Sequence, residues 1–367
     1  MSPDVTTPAP APLTLWVVPV ADLGGVARHV LDVARVGLPG LRLAVLCPEG
    51  PLAERLREQG AAVFVGPFGP DDGTLASVRT LRHLVRTLRP AVVHTHLAFA
   101  DIVAGLALAG DRRTGLISSE HGIAPDDALY NANPMTAKVK NLTHWARLAR
   151  TQRVIAVSES TKRVLEAKWR PRCPVTVVPN GVDLDDVRAV ASGERRRLGE
   201  GLRVLSLSRL SPEKGLDRLI AALPALLERD PGTRLTLAGS GPLEGQLRAQ
   251  AKALGVADAV DLPGFVEPWG TMAAHDVLVQ LSAWENLSYT LLDAAAAGLP
   301  AVATDVGGNG EILPAEALLQ DPVPEAIVAG IERVVGGAVG PSHVNGSEEM
   351  VAAIARVTDE VRGEMSR

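Results

Sequence analysis

The feature that most constrains the fold is a repeated alternation of short, continuous apolar runs with stretches of helical spacing. Continuous apolar strands are typical of parallel sheets that helices cover on both faces. We therefore predict an α/β chain built from doubly wound parallel sheets. The predicted strands are 13–20, 41–47, 61–66, 91–96, 115–121, 153–158 and 175–180, then 203–210, 234–241, 259–265, 276–282 and 300–305.

A turn-forming cluster, PNGVD at residues 179–183, interrupts this alternation and divides the chain. We predict a disordered leader at 1–12, one Rossmann-like domain at 13–180 and a second at 181–346. The last helix, within 347–367, either closes the second domain or crosses back to the first. Because such domains bind ligands at the carboxyl ends of their strands, we expect a site in the cleft between them.

Composition narrows the possible functions. The 37 Lys and Arg residues against 42 Asp and Glu residues argue against binding to nucleic acid or membrane through bulk charge. Aromatic residues form only 3% of the chain, so we do not expect a sugar-binding platform of stacked rings. Two cysteines, no secretory signal and no apolar run of about 18 residues favour a cytoplasmic protein.

The segment 282–313, SAWENLSYTLLDAAAAGLPAVATDVGGNGEIL, carries the densest set of chemically useful groups. A strand is predicted to end at Ser282, and a helix to begin near residues 288–290. The free N–H groups and positive dipole of a helix N-terminus suit a diphosphate. Glu285 and Asp293 lie on either side of that N-terminus, and carboxylates accept hydrogen bonds from vicinal sugar hydroxyls.

Other segments offer groups that suit phosphate. In SLSRLSPEKGLDRLI, Arg209 and Lys214 lie in a turn between a strand and a helix, where both can contact a phosphate. A solvated basic turn is the alternative for this segment taken alone. In the first domain, Gly24 and Gly25 precede a helix and allow the backbone to approach a bound group, although such a pair is also common in tight turns.

Three histidines follow predicted strands of the first domain. His94 and His96 end one strand, and His121 follows another, so all three are candidates for acid, base or polarising roles. A histidine pair spaced by one also suggests a metal site. Only Glu120 adds a potential ligand nearby, so we expect no metal.

A glycine pattern supports a different class of function. Gly239, Gly241 and Gly245 follow a strand in AGSGPLEG, and Asp261 lies about 20 residues further on, as in dinucleotide-binding domains. The spacing departs from the standard form by one residue, and Pro242 lies at the helix start. A nicotinamide-dependent enzyme therefore stays as an alternative at this point.

Taken together and in order, these segments resemble the family 4 glycosyltransferases of the GT-B fold. The similarity covers nearly the whole chain after the leader. It rests on LGGVARHVL, VVHTHL, SEHG, VIAVSES, VTVVPNGVD, SRLSPEKGLDRLI, LTLAGSGPLE, LPGFV and ENLSYTLLDAAAAGLPAVATDVGGNGE. The resemblance implies a retaining, metal-independent transfer of a sugar from a nucleotide donor. It also implies that the glycine loop belongs to the second domain of this family.

The resemblance assigns roles to individual residues on the donor side. Arg209 and Lys214 match the pair that holds the leaving diphosphate. Glu285 matches the acid that contacts the donor sugar, and Asp293 occupies the position of the acid that holds the ribose. Gly25, with Gly24 before it, matches the glycine near the diphosphate. The loop and helix start that surround sugar and phosphate correspond to Leu287, Ser288, Tyr289 and Thr290.

On the acceptor side, His96 matches the histidine beside the reacting carbon, and His94, Glu120 and His121 are secondary candidates. No residue matches a nucleophile, which favours front-face substitution. Two departures from the family pattern bear on the donor: position 293 is Asp rather than Glu, and the loop reads NLSY rather than a Gly-Phe-Gly-like sequence.

We therefore predict a bacterial-type hexosyltransferase that uses a UDP- or GDP-sugar and a glycan, lipid-linked or metabolite acceptor. The alternative is a catalytically weak partner of another transferase that binds sugar nucleotides. The stretch 138–153 predicts peripheral contact with the inner membrane face, because a basic amphipathic helix can lie on anionic lipid. A solvated helix with one face in the core is the alternative for this stretch. Its basic residues are Lys138, Lys140, Arg147, Arg150 and Arg153.

Overall fold

The computed structural model divides the chain into two compact units. The first comprises Met1–Val157, Lys162–Val178 and Glu348–Arg367, and the second comprises Ser158–Thr161 and Pro179–Ser347. The described residues are 10–123, 147–191, 201–337, 339–340 and 342–366. Residues 1–9 of the predicted leader and 138–146 of the predicted basic helix lie outside them.

The first unit contains a parallel sheet of seven strands in the order β3-β2-β1-β4-β5-β6-β7. Its strands are β1 (Leu13–Val17), β2 (Arg42–Leu46), β3 (Ala62–Phe64), β4 (Val92–His96), β5 (Gly115–Glu120), β6 (Arg153–Ala156) and β7 (Val175–Val177). Its helices along the chain are α1 (Gly25–Val36), α2 (Pro51–Glu58), α3 (Gly73–Leu88), α4 (Leu97–Ala107) and α5 (Glu159–Trp169), the last beginning in residues of the second unit.

The second unit contains a parallel sheet of six strands in the order β10-β9-β8-β11-β12-β13. The strands are β8 (Arg203–Leu207), β9 (Arg234–Ala238), β10 (Val260–Gly264), β11 (Val277–Gln280), β12 (Ala301–Thr304) and β13 (Leu318–Leu319). The helices are α6 (Leu184–Ala191), α7 (Leu216–Arg229), α8 (Glu244–Ala253), α9 (Pro268–Ala273), α10 (Tyr289–Ala297), α11 (Asn309–Ile312) and α12 (Pro324–Val335). The prediction of an α/β chain with two doubly wound sheets is confirmed.

Strand β1 shows why the apolar runs are continuous. Successive side chains of a strand point to opposite faces of the sheet. Trp16 lies in a buried cluster with α1 and α2, whereas Leu15 and Val17 lie in a second cluster with α3 and α4. Both faces of this sheet are therefore covered, and every position of the strand interior favours an apolar residue.

The final helix, α13 (Ser347–Met365), packs into the core of the first unit. Met350, Ile354 and Val361 are buried in the same cluster as Trp16. This contact brings the end of the chain back to the unit that contains its beginning. Within the described part of the chain, no helix is both long and apolar enough to cross a membrane.

We predict that Ile354→Ala lowers the free energy of unfolding by about 2–5 kcal/mol, because it removes buried methyl groups and leaves a cavity. Urea unfolding followed by circular dichroism measures this change. Arg356→Ala, on the exposed face of the same helix, is the matched control and should change stability by less than about 0.5 kcal/mol. Equal stability of the two variants would contradict the packing of α13.

Candidate functional site

Lys214 and Glu285 form an ion pair in the second unit. Lys214 ends a short 3-10 turn, Pro212–Lys214, that follows β8, and Glu285 lies in the loop after β11. Ser282 donates a hydrogen bond from Oγ to Oε1 of Glu285 over 2.8 Å, and Lys214 Nζ lies 3.5 Å from the same Oγ. The side chains of Lys214 and Glu285 keep 18% and 16% of their surface exposed, so an added ligand can reach both.

Arg209 lies beside this pair but is oriented toward solvent, with 76% of its side chain exposed. Its Nη2 donates to Oε1 of Glu213 over 2.9 Å, and Ser211 donates to the same oxygen over 2.7 Å. Burial favours a higher pKa for Glu213, but the Ser211 hydrogen bond and the charges of Arg209 and Lys214 outweigh it and lower the pKa. The turn predicted to bind phosphate therefore contains an acid, Glu213, that forms an ion pair with Arg209.

The loop 285–288 is positioned by groups that the sequence prediction did not include. Gly307 has φ of +58°, and a Cβ atom there would lie 1.8 Å from the carbonyl oxygen of Glu285. Gly308 donates its N–H to the carbonyl of Asn286 over 2.7 Å. Asn180, from the PNGVD cluster, donates from Nδ2 to the carbonyl of Leu287 over 3.1 Å. The glycine pair and the turn residue together hold this loop.

Helix α10 begins directly after that loop. Ser288 is its N-cap, and the Oγ accepts a hydrogen bond from the N–H of Leu291 over 3.3 Å. The same hydroxyl donates to Oε1 of Gln280 on β11 over 2.7 Å. The N-terminus of α10 therefore follows Glu285 closely in sequence, in the same connection after β11. Leu287, Ser288, Tyr289 and Thr290 occupy this loop and helix start.

The two predicted acids differ in exposure. Glu285 is accessible, whereas Asp293 in the second turn of α10 has only 1% of its surface exposed. A ribose could reach the Asp293 carboxylate only if neighbouring atoms moved. Asn286, one of the unusual loop residues, is also buried. The ribose role of Asp293 stays a prediction.

The glycine pattern that suggested a dinucleotide site has an internal explanation. A Cβ atom at Gly239 would lie 2.0 Å from the carbonyl oxygen of Ser208, and one at Gly241 would lie 2.4 Å from that of Leu210. The N–H of Leu210 also donates to the carbonyl of Ser240 over 2.9 Å. These two glycines therefore allow the loop after β9 to pack against the loop after β8, and a dinucleotide is not needed to explain them.

In the first unit, the structure brings His96 and His121 together. His96 Nδ1 and His121 Nε2 are 2.8 Å apart and share a hydrogen bond. His94 bonds instead to the hydroxyl of Ser119 through Nε2, also over 2.8 Å. His29 of α1, which the sequence prediction missed, has its ring centroid 4.8 Å from that of His121. His121 is partly exposed, whereas the other three histidines are buried.

His94, His96 and His121 are held neutral. Burial, and to a smaller degree the neighbouring histidines, lower the pKa values of His96 and His121 well below the usual range. Burial and the nearby His29 lower the pKa of His94 to about 3. A neutral imidazole offers one nitrogen lone pair, so each of these rings can accept a hydrogen bond or bind a metal at neutral pH.

Glu120 has a structural partner. Its Oε1 and Oδ2 of Asp101 both pair with the buried guanidinium of Arg147, and Ser118 donates to the same Asp101 oxygen over 2.9 Å. Arg147 belongs to the stretch 138–153. The Arg147 guanidinium is therefore buried in the first unit, where it pairs with two carboxylates, and it is not on the surface.

Two other arginines of that stretch also bind groups of the first unit. Arg150 donates to the carbonyls of Asp111 and Thr114, and Arg153 pairs with Glu364. Peripheral membrane contact through 138–153 stays a prediction.

Gly24 and Gly25 lie exposed at the start of α1. Gly24 has a φ of −164°, which any residue can adopt. A Cβ atom at Gly24 would meet no atom within 4 Å. Packing therefore does not require glycine at position 24, and a role in ligand approach stays a prediction for both residues.

The sequence matches two family models, one in each half of the chain. Residues 23–186 match the model described as Glycosyltransferase Family 4, and residues 193–338 match the model described as Glycosyl transferases group 1. These matches contain the histidine group of the first unit and the Lys214–Glu285 pair of the second.

Similar proteins include a 2-deoxystreptamine N-acetyl-D-glucosaminyltransferase from Streptomyces fradiae, 31% identical over 335 residues, or 83% of this chain and 74% of that protein. A GDP-mannose-dependent alpha-(1-6)-phosphatidylinositol monomannoside mannosyltransferase from Mycobacterium tuberculosis is 31% identical over 241 residues, or 58% of this chain. The alignment spans 62% of the length of that mannosyltransferase, which is less than two thirds.

Among solved structures, Anabaena HepE in complex with UDP-glucose has a TM-score of 0.74 at 20% identity. The match covers 97% of this chain and 98% of that one. At this identity the likeness shows the fold, and it confirms the predicted GT-B fold.

We predict that His94 makes stability depend on pH. An unfolded histidine has a pKa near ~6.5, whereas folded His94 has a pKa of about 3. Between these pH values the unfolded state binds a proton that the folded state does not, so stability present above about pH 6.5 is lost as the pH falls. From pH 7 to pH 5 this histidine should lower the free energy of unfolding by about 2 kcal/mol.

Urea unfolding at several pH values tests this, with His94→Gln as the variant. The variant should lose less stability than the wild type between pH 7 and pH 5. His83→Gln, at an exposed position of α3, should keep the wild-type dependence. Parallel pH profiles for the wild type and His94→Gln would contradict the prediction.

Proposed function

The chain belongs to the glycosyltransferases that the group 1 and family 4 models describe, and on that premise we propose that it is a hexosyltransferase. The donor is a UDP- or GDP-sugar, and the acceptor is a hydroxyl group of a glycan, lipid-linked or metabolite molecule. We propose that the transfer retains the anomeric configuration, requires no metal ion and takes place in the cytoplasm.

One observation carries this proposal: Lys214, Ser282 and Glu285 contact one another, and Glu285 lies in the loop that leads into the N-terminus of α10. A nucleotide sugar needs a cation for its diphosphate and an acceptor of hydrogen bonds for its sugar hydroxyls. Lys214 supplies the first, Glu285 supplies the second, and amides at a helix start favour phosphate oxygens. Without a ligand, Lys214 and Glu285 neutralise each other.

Donor binding would rearrange this pair. The diphosphate carries more negative charge than one carboxylate, so we expect Lys214 to turn toward it and release Oε1 of Glu285. Ser282 would then keep Glu285 oriented through its hydrogen bond. Arg209, which is exposed and held by Glu213, is the second cation that the diphosphate would recruit.

The chemical step replaces one bond at the anomeric carbon. The bond from this carbon to the leaving phosphate oxygen breaks, and a bond to the acceptor oxygen forms on the same face of the sugar. The acceptor proton goes to the leaving phosphate oxygen. Lys214 and Arg209 stabilise the charge that develops on the diphosphate, which is where electrostatic stabilisation acts in such a transition state. We assign His96 to the acceptor side, with His94, Glu120 and His121 as secondary candidates.

The names of similar proteins support both donor nucleotides. The mycobacterial protein is GDP-mannose-dependent, and the Anabaena structure contains UDP-glucose. We therefore propose to test both UDP- and GDP-sugars as donors.

We predict that Lys214→Ala lowers kcat/KM for transfer by about 100-fold or more, because one preorganised charged donor is lost at the leaving group. The assay follows release of UDP or GDP from a panel of nucleotide sugars with simple glycoside acceptors. Lys252→Ala removes an exposed lysine of α8 in the same unit and should keep wild-type activity. Because the proposed transfer needs no metal ion, activity should also be unchanged in EDTA.

Wild-type kcat/KM in Lys214→Ala would overturn the site assignment. Nucleotide binding without release of sugar from any donor would instead support a catalytically weak partner protein.

We also predict that one nucleoside diphosphate stabilises the protein. A ligand that binds only the folded state at about 100 times its Kd raises the free energy of unfolding by about 2.7 kcal/mol. Thermal unfolding with UDP and with GDP identifies the base, and Lys214→Ala should reduce the shift while Lys252→Ala should not. Equal shifts in both variants would contradict diphosphate binding at Lys214.

A further inference from the structure

The first unit contains a compact group of three imidazoles from separate elements. His29 comes from α1, His96 is the last residue of β4, and His121 follows β5. One ring nitrogen from each lies within 4.8 Å of those from the other two. The ring of Trp16 packs against His96, with 4.5 Å between the centroids.

We propose that His29, His96 and His121 form a binding site for a divalent transition-metal ion of the Zn²⁺ type. Three histidines and one open position are a common ligand set for Zn²⁺. With metal–nitrogen bonds of about 2.0–2.1 Å in a tetrahedral site, the ligand nitrogens lie about 3.3 Å apart. The distance between His96 Nδ1 and His121 Nε2 is 2.8 Å, and no separation within the group exceeds 4.8 Å, so side-chain movements of about 1–1.5 Å complete the site.

The chemistry of the group selects the class of ion. The three ligands are nitrogens, which suit Zn²⁺, Co²⁺, Ni²⁺ and Cu²⁺, whereas Mg²⁺ and Ca²⁺ prefer oxygen ligands.

Metal binding changes one hydrogen bond. His96 Nδ1 and His121 Nε2 share a proton in the present structure, and one of these rings must donate it. For both rings to bind the metal, the donor ring shifts that proton to its other nitrogen. This tautomer change involves no net proton release. His94 is not part of this group of ring nitrogens, and its Nε2 bonds to the hydroxyl of Ser119.

Access and shielding are both present. His121 is the only one of the three residues that is partly exposed, so we expect an ion to enter beside it. His29 and His96 are buried, with 2% and 0% exposure, which holds their rings by packing.

The site shares His96 and His121 with the acceptor side of the proposed transfer, and that transfer uses no metal. A bound ion would occupy His96, so it would inhibit transfer, and this consequence rests on the proposed function. The binding itself is measured without donor or acceptor and does not depend on that function.

The experiment uses the full chain without a histidine tag, freed of metal with EDTA and exchanged into chelator-free buffer. Zn²⁺ is titrated by competition with a chromophoric chelator, and Co²⁺ is used for its visible absorption spectrum. We expect one tight Zn²⁺ per chain. His29→Gln and His121→Gln should each weaken it by more than about 100-fold, because loss of even an outer-shell partner costs about 10–100-fold.

His83→Gln, an exposed histidine of α3, is the matched control and should bind Zn²⁺ as the wild type does. Thermal unfolding in EDTA shows whether each variant folds, and His121→Gln serves if His29→Gln does not. Zn²⁺ binding of equal strength in the wild type and in folded His121→Gln would overturn the proposal. Absence of tight Zn²⁺ binding by the wild type would also overturn it.

Discussion

Parallel strand pairing decides where the chemistry of this chain lies. All carboxyl ends of a parallel sheet meet at one edge, so polar residues that follow neighbouring strands come together even when they are distant in sequence. Strands β4 and β5 are neighbours and bring His96 to His121. Strands β8 and β11 are neighbours and bring the turn of Lys214 to the loop of Glu285. Without this strand pairing, the residues of each group would not come together.

The second requirement is close approach of backbones at those strand ends. At Gly307 and Gly239 any larger residue would overlap a carbonyl oxygen of the neighbouring loop. These contacts hold the loop of Glu285 and the turn of Lys214 at fixed positions while leaving the charged side chains accessible. Rigid loops with accessible ends are what a donor site requires, because positioning lowers the entropy cost of reaction.

The Lys214–Glu285 pair and the histidine group differ in the charge of their side chains. In the second unit a cation and an acid remain partly exposed, form an ion pair and can exchange partners with a charged ligand. In the first unit burial lowers the pKa values of His96 and His121, so these two rings are neutral at physiological pH. Neutral rings offer lone pairs without electrostatic repulsion between them, and such lone pairs can accept hydrogen bonds or bind a metal ion.

The sequence by itself determined the α/β class, the two sheets and the segments that contain Lys214, Glu285, His96 and His121. Strand and helix periodicity is a property of neighbouring residues, and continuous apolar runs indicate buried strands. The α/β class and the two sheets can therefore be predicted without knowledge of tertiary contacts. Only the tertiary structure decided that His29 lies next to His96 and His121. From the sequence alone, a single histidine on the apolar face of α1 would be predicted to be a core residue. It also decided that Asn180 and Gly307 hold the loop of Glu285, and that Asp293 is buried. These properties depend on atoms that lie far apart along the chain and meet only when the sheets have formed.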